Sequence, residues 1–284
     1  FRQNLFWISR FDKSWIIDVF YNTKLTLVIQ GDKMYTMESI DKKIQILQDI
    51  INDSNSIVFF GGAGVSTESG IPDFRSTSGL YNQEWKYPPE QIVSRTFFNH
   101  KCSEFYKFYC QKMIALDAKP NSAHFKLAEL EQTGKLKAIV TQNIDGLHQA
   151  AGSKIVYELH GTTLNNYCEN CHANYDLAFV KQSESAPDKI PHCTKCGAII
   201  KPGIVLYQEN LDDDVIEASI DAIQNADTLI VGGTSLVVNP AAGLIRFFRG
   251  ENLVLINKTP TPMDSAANLI IRDPIGAVFS QIKC

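Results

Sequence analysis

The chain has no uninterrupted apolar run of about 18 residues, the length a helix needs to cross a bilayer, so no membrane span is expected. It has no signal-peptide pattern either. Charges at Arg2, Arg10, Asp12, Lys13 and Asp18 break up the N-terminal aromatics before an apolar core of roughly 7–15 residues can form. A basic footprint is missing: 27 Lys and Arg stand against 31 Asp and Glu, for a net charge of −4, with no cluster of the kind direct nucleic-acid binding needs. Cysteine is odd in number, 7 in 284 residues. Without a signal peptide, that argues against a secreted disulfide scaffold and for a reducing compartment, here the cytoplasm. Internal repeats and low-complexity segments are absent. With 44% hydrophobic and 20% charged residues, the chain can bury a sizeable core unaided, as one large domain with or without a small inserted module.

What is present is a rhythm of short apolar runs. Residues 1–36 are set apart as an extra segment of uncertain origin, with Met34 and Met37 available as starts for the remainder of the chain, and no element is assigned over residues 1–35. Met37 to Asn52 reads as an amphipathic helix through Ile40, Ile44, Leu47 and Ile50. Buried strands are expected at 57–60, 138–141, 155–161, 228–231 and 253–256, with helices at 124–131 and 215–225. Phe97 to Ala115, rich in aromatics, reads as helix in a second small element. Strands alternating with helices predict a doubly wound, Rossmann-like α/β sheet. Polar clusters follow nearly every strand, where such sheets bind ligands. Tyr167 to Pro202 breaks the rhythm and reads as an inserted module.

Gly61-Gly62-Ala63-Gly64 follows the first strand. Glycines there let backbone N–H groups approach a diphosphate, and Ser66 to Ser69 suits a helix start that would favour negative charge. The usual dinucleotide fingerprint is incomplete, because no acidic residue ends a second strand about 20 residues on. By itself the motif is weak, and a tight structural turn is the alternative. Two Cys-x2-Cys pairs, Cys168/Cys171 and Cys193/Cys196, permit a closed tetrahedral zinc site, although their separation is slightly longer than the common one and a redox pair is the alternative. His172 and His192 lie beside the pairs and are not counted as ligands. His160 follows an apolar run and precedes Gly161. Imidazole titrates near neutrality, so a histidine at a ligand-binding edge can act as a base. His124 and His148 are assigned structural roles.

The stretch from Gly62 through Ser69-Gly70-Ile71-Pro72-Asp73-Phe74-Arg75 resembles the signature of the sirtuin family of NAD-dependent protein deacylases. Thr141-Gln142-Asn143-Ile144-Asp145-Gly146-Leu147-His148 resembles its second motif, Leu159-His160-Gly161 its catalytic-histidine motif, and Gly233-Thr234-Ser235-Leu236 its adenosine-binding turn. The four occur in the family's order, between about Asp41 and Ile282.

The resemblance implies that residues 37–284 form the catalytic domain, with a zinc ribbon at about 165–203 holding one structural ion. It implies deacetylation of acetyl-lysine in a protein or peptide, with cleavage of NAD to nicotinamide and transfer of the acetyl group to ADP-ribose. His160 would be the general base, and Asn143 and Asp145 would contact the carboxamide. Phe74 would shield the ribose, while Arg75 and Gln142 would hold phosphate and ribose hydroxyls. Gly62, Ala63, Gly64, Thr67, Asp73, Ile144, Gly233, Thr234, Ser235, Asn257 and Ile275 complete the cofactor site.

Val205, Leu206 and Tyr207 would seat the substrate opposite Leu236 and Val237 by strand addition, with Val205 lining the acyl-lysine tunnel. Gln208 stands where the family often has Gly, which narrows the backbone choices. Tyr109 stands three residues after Tyr106, where relatives that remove acidic acyl groups carry Arg, and this favours neutral acyl groups. The alternatives are a mono-ADP-ribosyltransferase using the same NAD site and a non-catalytic NAD or ADP-ribose-binding module. A hydride-transfer dehydrogenase stands further off.

Overall fold

Four strands open the chain in a computed structural model. It describes residues 5–11, 14–21, 23–30, 33–37, 39–74, 76, 79–80 and 84–284, with side chains from residue 39 onward within those ranges. β1 (Leu5–Phe11), β2 (Ser14–Tyr21), β3 (Thr23–Gln30) and β4 (Lys33–Met37) form an antiparallel sheet in chain order. These strands are structure where no element is expected from sequence. They belong, with nearly all of the helix Ile40–Asp53, to a compact unit covering residues 1–52; residues 53–284 form a second. Ile44, Leu47 and Ile51 are the buried positions of that helix, spaced at the three- and four-residue intervals of one helical face.

The second unit contains β5 (Ile57–Gly61), β6 (Leu136–Thr141), β7 (Val156–Glu158), β8 (Gly161–Cys168), β9 (Asn174–Tyr175), β10 (Ile200–Ile204), β11 (Thr228–Gly232), β12 (Asn252–Ile256) and β13 (Leu269–Ile271). Six of these make an all-parallel sheet in the order β13-β12-β11-β5-β6-β7. All residues of the central pair β5 and β11 are buried, as expected for parallel strands covered on both faces. From β5 the chain winds outward through β6 to β7; from β11 it winds the other way through β12 to β13. The order therefore reverses between β5 and β11, and open α/β sheets bind ligands beyond the carboxyl ends of such a pair.

Local chemistry sets the helix starts. Asn121 caps the helix Ser122–Gln132 in a reciprocal box with His124, and Asp212 caps Asp213–Gln224 by accepting from the Val215 N–H. The aromatic stretch expected as one helix is three pieces, Arg95–His100, Cys102–Phe108 and a π-helical turn at Tyr109–Met113, because the backbone leaves helical space at Lys101 (φ −138°). The expected strand 155–161 is likewise split. β7 stops at Glu158, and Gly161, at φ +71°, starts β8 in a new direction. A Cβ at Gly161 would lie 2.1 Å from the Gly203 carbonyl oxygen, so only glycine allows that approach.

β8, β9 and β10 form a second, antiparallel sheet in the order β10-β8-β9. Its apolar side joins the aromatic helices in one core that includes Phe97, Phe105, Tyr109, Cys168, Ile200 and Leu206. Among the described residues, no helix is long and apolar enough to cross a membrane.

Candidate active site

The turns after β5 and β11 lock into one another at the switch point. Gly62 N–H donates to Gly232 O (3.2 Å) and Gly64 N–H to Gly233 O (2.7 Å). A Cβ on Gly64 would sit 2.7 Å from Gly233 Cα. One on Gly233, whose φ is +59°, would sit 2.4 Å from Val65 N. These glycines are needed first for backbone-to-backbone packing. The N–H groups of Val65 and Ser66 also bond internally, to Gly62 O (2.9 Å) and Ala63 O (3.1 Å).

The α-helix start expected at Ser66–Ser69 is absent. Two single 3-10 turns, Ala63–Val65 and Thr67–Ser69, occupy the segment, and Gly70 (φ +83°) ends the second just before Pro72. Polar side chains at the expected helix start bond elsewhere: Thr67 Oγ1 donates to Gly64 O at 3.0 Å and Ser66 Oγ to Asp145 Oδ2 at 2.7 Å.

Further polar groups arrive from the ends of β6 and β7. Asn143 Nδ2 donates to Ser66 Oγ (3.1 Å), so Asn143, Ser66 and Asp145 form a hydrogen-bonded chain. Asp145 also accepts from Leu147 N–H at 3.0 Å. Ser66 joins the two positions picked out from sequence and was not among them; its place inside the Gly62–Arg75 signature is the signal that points to it. Gln142 Nε2 donates to Thr234 Oγ1 at 3.1 Å, tying the end of β6 to the turn after β11. His160 Nδ1 lies 3.0 Å from Gln142 O. Burial lowers the His160 pKa, opposed by that backbone bond. Glu158, two residues earlier, is pushed up to about 7 by burial. Behind the site the His124 and His148 rings meet at a tilt of 56°, 4.7 Å between centroids, and burial lowers them to about 4 and about 3.

Other expected cofactor residues fall around this crevice. Ala63, Ile144 and Ser235 are half-buried in its turns, as is Phe74 beyond Pro72. Asp73 pins its own loop, accepting from Ser76 N–H (2.8 Å) through its side chain and from Leu80 N–H (2.8 Å) through its carbonyl. Asn257 follows β12 and donates to Thr259. Ile275 is buried beneath the end of β11, its Cδ1 2.2 Å from where a Gly232 Cβ would stand. Arg75 lies outside the described residues.

On the opposite flank, Leu206 is buried, whereas Tyr207 and Val237 are exposed and Val205 is half-buried. The N–H groups of Val205, Leu206 and Tyr207 are committed inside the protein, to His160 O, Glu209 Oε2 and Val93 O. Gln208 has φ +78°, in the left-handed region that favours glycine. Its Oε1 accepts from Thr96 N–H (3.0 Å) and Thr96 Oγ1 (2.8 Å), which holds it there.

The four paired cysteines converge. One ligand atom from each of Cys168, Cys171, Cys193 and Cys196 lies within 4.8 Å of the others. The Cys168–Cys196 and Cys171–Cys193 sulfurs are 3.4 and 3.5 Å apart. Sulfurs about 2.3 Å from a shared zinc are separated by similar distances, so the donor set fits one tetrahedral zinc. Backbone N–H groups of Asn170, Cys171 and Lys195 donate to Cys168 and Cys193 sulfurs at 3.4 Å, and the Tyr175 hydroxyl, donating to Cys193 at 3.1 Å, lowers that thiol to about 6. Such donors favour the thiolate that binds metal. With all four positions filled by cysteine, the metal has a structural role. His172 is exposed and His192 bonds Asp188.

A doubly wound sheet with ligand-binding turns at its switch point and a four-cysteine module on a second sheet defines an α/β nucleotide-binding protein with a zinc ribbon. The Sir2 family model matches residues 62–240, more than half of the chain, and the chain belongs to that family. It is 60% identical to a protein of Clostridium perfringens named NAD-dependent protein deacetylase, with 86% of this chain and 99% of that one covered. A protein of the same name from Clostridium acetobutylicum is 59% identical, with 84% and 98% covered. A solved Sir2 bound to acetylated peptide shares the fold at TM-score 0.75 and 38% identity, covering 84% of this chain and 96% of that one. A second, with a deacetylated p53 peptide and 3'-O-acetyl ADP-ribose, matches at TM-score 0.77 and 39% identity, with the same coverage.

Proposed function

We propose that this chain is an NAD-dependent protein lysine deacetylase, with the cytoplasm as its location and residues 37–284 as its catalytic domain. The observation that carries the reading is the convergence of Asn143, Ser66, Asp145 and His160 beside the β5–β11 switch point. The deacetylases named above, matched over nearly their whole length, support it.

When bound, NAD supplies a ribose carbon that becomes electrophilic as its bond to nicotinamide loosens. The chain's own residues orient it and handle protons. Gly62, Gly64, Val65 and Ser66 N–H groups are already used. The first N–H groups of the two 3-10 turns, at Ala63 and Thr67, are therefore the donors left to meet a diphosphate. Asn143 and Asp145, coupled through Ser66, hold the carboxamide, and Phe74 shields the ribose. Gly233, Thr234, Ser235 and Asn257 flank the adenosine end.

His160 is the general base. The Gln142 carbonyl can only accept, so Nδ1 carries the hydrogen and Nε2 keeps its lone pair to take a proton from a ribose hydroxyl. Its lowered pKa keeps the ring neutral at pH 7. The peptide rests on exposed Tyr207 and Val237 and reaches this loop through side chains, since the three loop N–H groups and the Leu206 and Tyr207 carbonyls are committed. The zinc ribbon, about residues 165–203, holds its ion away from the reaction.

Tyr106 and Tyr109 supply no cation for an acidic acyl group. Tyr106 donates to Ile200 O, and both rings are buried, so acetyl and other neutral acyl groups are preferred. Mass spectrometry of an acetyl-lysine peptide, with and without NAD, tests the whole reading. Loss of acetyl only with NAD, alongside O-acetyl-ADP-ribose, supports it. An intact peptide with ADP-ribose appearing on protein instead points to the transferase.

A further inference from the structure

The loop that seats the peptide is held both by its own turn, in which Glu209 N–H donates to Leu206 O at 3.0 Å, and from outside. Between Leu206 and Glu209, four contacts fasten it to residues 93–96. Tyr207 N–H donates to Val93 O and Arg95 N–H to Tyr207 O, each at 3.0 Å, and Gln208 takes the two bonds from Thr96. A carboxylate closes the loop from inside: Glu209 Oε2 accepts from Leu206 N–H at 2.8 Å and from the buried Lys201 Nζ at 3.1 Å. The other oxygen, Glu209 Oε1, faces Arg95 Nη1 at 3.3 Å.

Arg95 does not stop at the loop. Its second amino group, Nη2, lies 2.6 Å from Glu169 Oε1. Glu169 sits inside the metal-binding knuckle, between Cys168 and Cys171, and its N–H is pinned to Ile199 O at 3.1 Å. One guanidinium thus spans two carboxylates, one placed by the cysteine cluster and one shaping the loop. Two cations, Arg95 and Lys201, balance the two anions, Glu169 and Glu209. All four side chains are at most about a third exposed, so water screens these pairs less than it would on an open surface. A planar fork with two separate NH2 ends suits that geometry, and a single ammonium does not.

We propose that Arg95 is a positioning residue for the peptide, joining the zinc knuckle at Glu169 to the peptide-binding loop at Glu209, so that peptide affinity depends on it while the NAD chemistry does not. The proposal rests on the deacetylase reading only in taking residues 205–209 as part of the peptide's seat.

The test measures kcat, NAD KM and acetyl-lysine peptide KM for wild type, Arg95→Gln, Arg95→Lys, Glu169→Gln and the Arg95→Gln/Glu169→Gln double variant. Zinc content, melting temperature and the Kd of a fluorescent acetyl-lysine peptide are recorded alongside. In Arg95→Gln, peptide KM and Kd rise about tenfold, while kcat and NAD KM stay within about twofold and zinc remains at one equivalent. Glu169→Gln moves the same two quantities less, and the double variant is no worse than Arg95→Gln, because both changes cut one connection. Arg95→Lys, able to reach one carboxylate, falls between wild type and Arg95→Gln.

Unchanged peptide KM and Kd in Arg95→Gln overturn the proposal. So does a variant that loses zinc and shifts NAD KM, kcat and peptide KM together, since Arg95 would then only support folding. If wild type removes no acetyl group, the deacetylase reading fails and the Kd series decides the positioning role by itself. Wild type that binds no peptide overturns both.

Discussion

At the scale of single residues, His160 carries the sharpest consequence. Its Nδ1 is held by a carbonyl and its pKa lies below the ordinary 6.5, lowered by burial. Only the neutral ring is a base, so activity is retained at neutral pH and lost as pH falls through the lowered value. A kcat/KM profile for deacetylation is expected to show an acid limb below pH 6.5; a limb centred above 7 would remove His160 from the role. His160→Ala is expected to lower kcat at least about a hundredfold, the usual scale for a general base. NAD binding, followed by calorimetry, persists in the variant, because the turns after β5 and β11 do not rest on the imidazole.

At the scale of elements, two junctions decide whether the site exists. The first is the contact between the glycine turns. Gly233→Ala places a side chain at positive φ and pushes a methyl group to 2.4 Å from Val65 N, with backbone rather than a movable side chain in the way. The left-handed conformation alone costs about 1–2 kcal/mol. The clash adds to this, and the expected outcome is a melting temperature lowered by several degrees together with loss of NAD binding. An unchanged melting temperature would mean that the two turns can part freely.

The second junction is the cysteine cluster. Cys168→Ser, or a chelator applied to the wild type, is expected to release the metal and destabilise the whole second unit, because the aromatic helices share a core with Cys168, Cys193 and Ile200. Full zinc stoichiometry with wild-type melting in that variant would contradict the four-cysteine site.

At the scale of the whole molecule, stability should depend on pH through buried groups. His124 and His148 are held neutral, at about 4 and about 3, and in the unfolded chain both titrate near 6.5. Below 6.5 the unfolded state therefore binds more protons, and stability falls with pH by up to about 1.4 kcal/mol per unit for each histidine. Glu158 works the other way: its pKa, raised to about 7, adds stability as pH falls from 7 toward 4.5. His160, also lowered by burial, adds to these two histidines, so against the one raised carboxyl the net trend is loss on acidification, steepest between about 4.5 and 4, where Glu158 no longer compensates. Among the described residues, neither ring nitrogen of His148 has a hydrogen-bond partner. Chemical denaturation from pH 7 to 4 is expected to give His148→Leu a flatter pH dependence than wild type; parallel curves would show that His148 does not titrate between the folded and unfolded states.

Much of this protein is determined by sequence because it depends on local chemistry. Short β-branched and aromatic apolar runs such as Ile57–Phe60 and Leu253–Ile256 read as buried strands, and the glycines placed just after the first of them mark the ligand edge. Cys-x2-Cys pairs bring metal-binding chemistry with them wherever they occur. The tertiary structure decided what depends on partners far apart in sequence. The antiparallel sheet of residues 5–37 is the exception: runs such as 15–21 and 25–29 are strand-like locally, and they go unassigned only because residues 1–36 are set apart. The 3-10 turns after β5 replace a helix because Ser66 is drawn to Asp145, 79 positions away. The break at His160 follows from the approach of Gly161 to Gly203, and the peptide loop's link to the zinc knuckle exists only because Arg95 lies between Glu169 and Glu209 once the chain has folded. Local patterns act over a few residues, whereas charge pairing and close backbone approach depend on distances that folding alone creates.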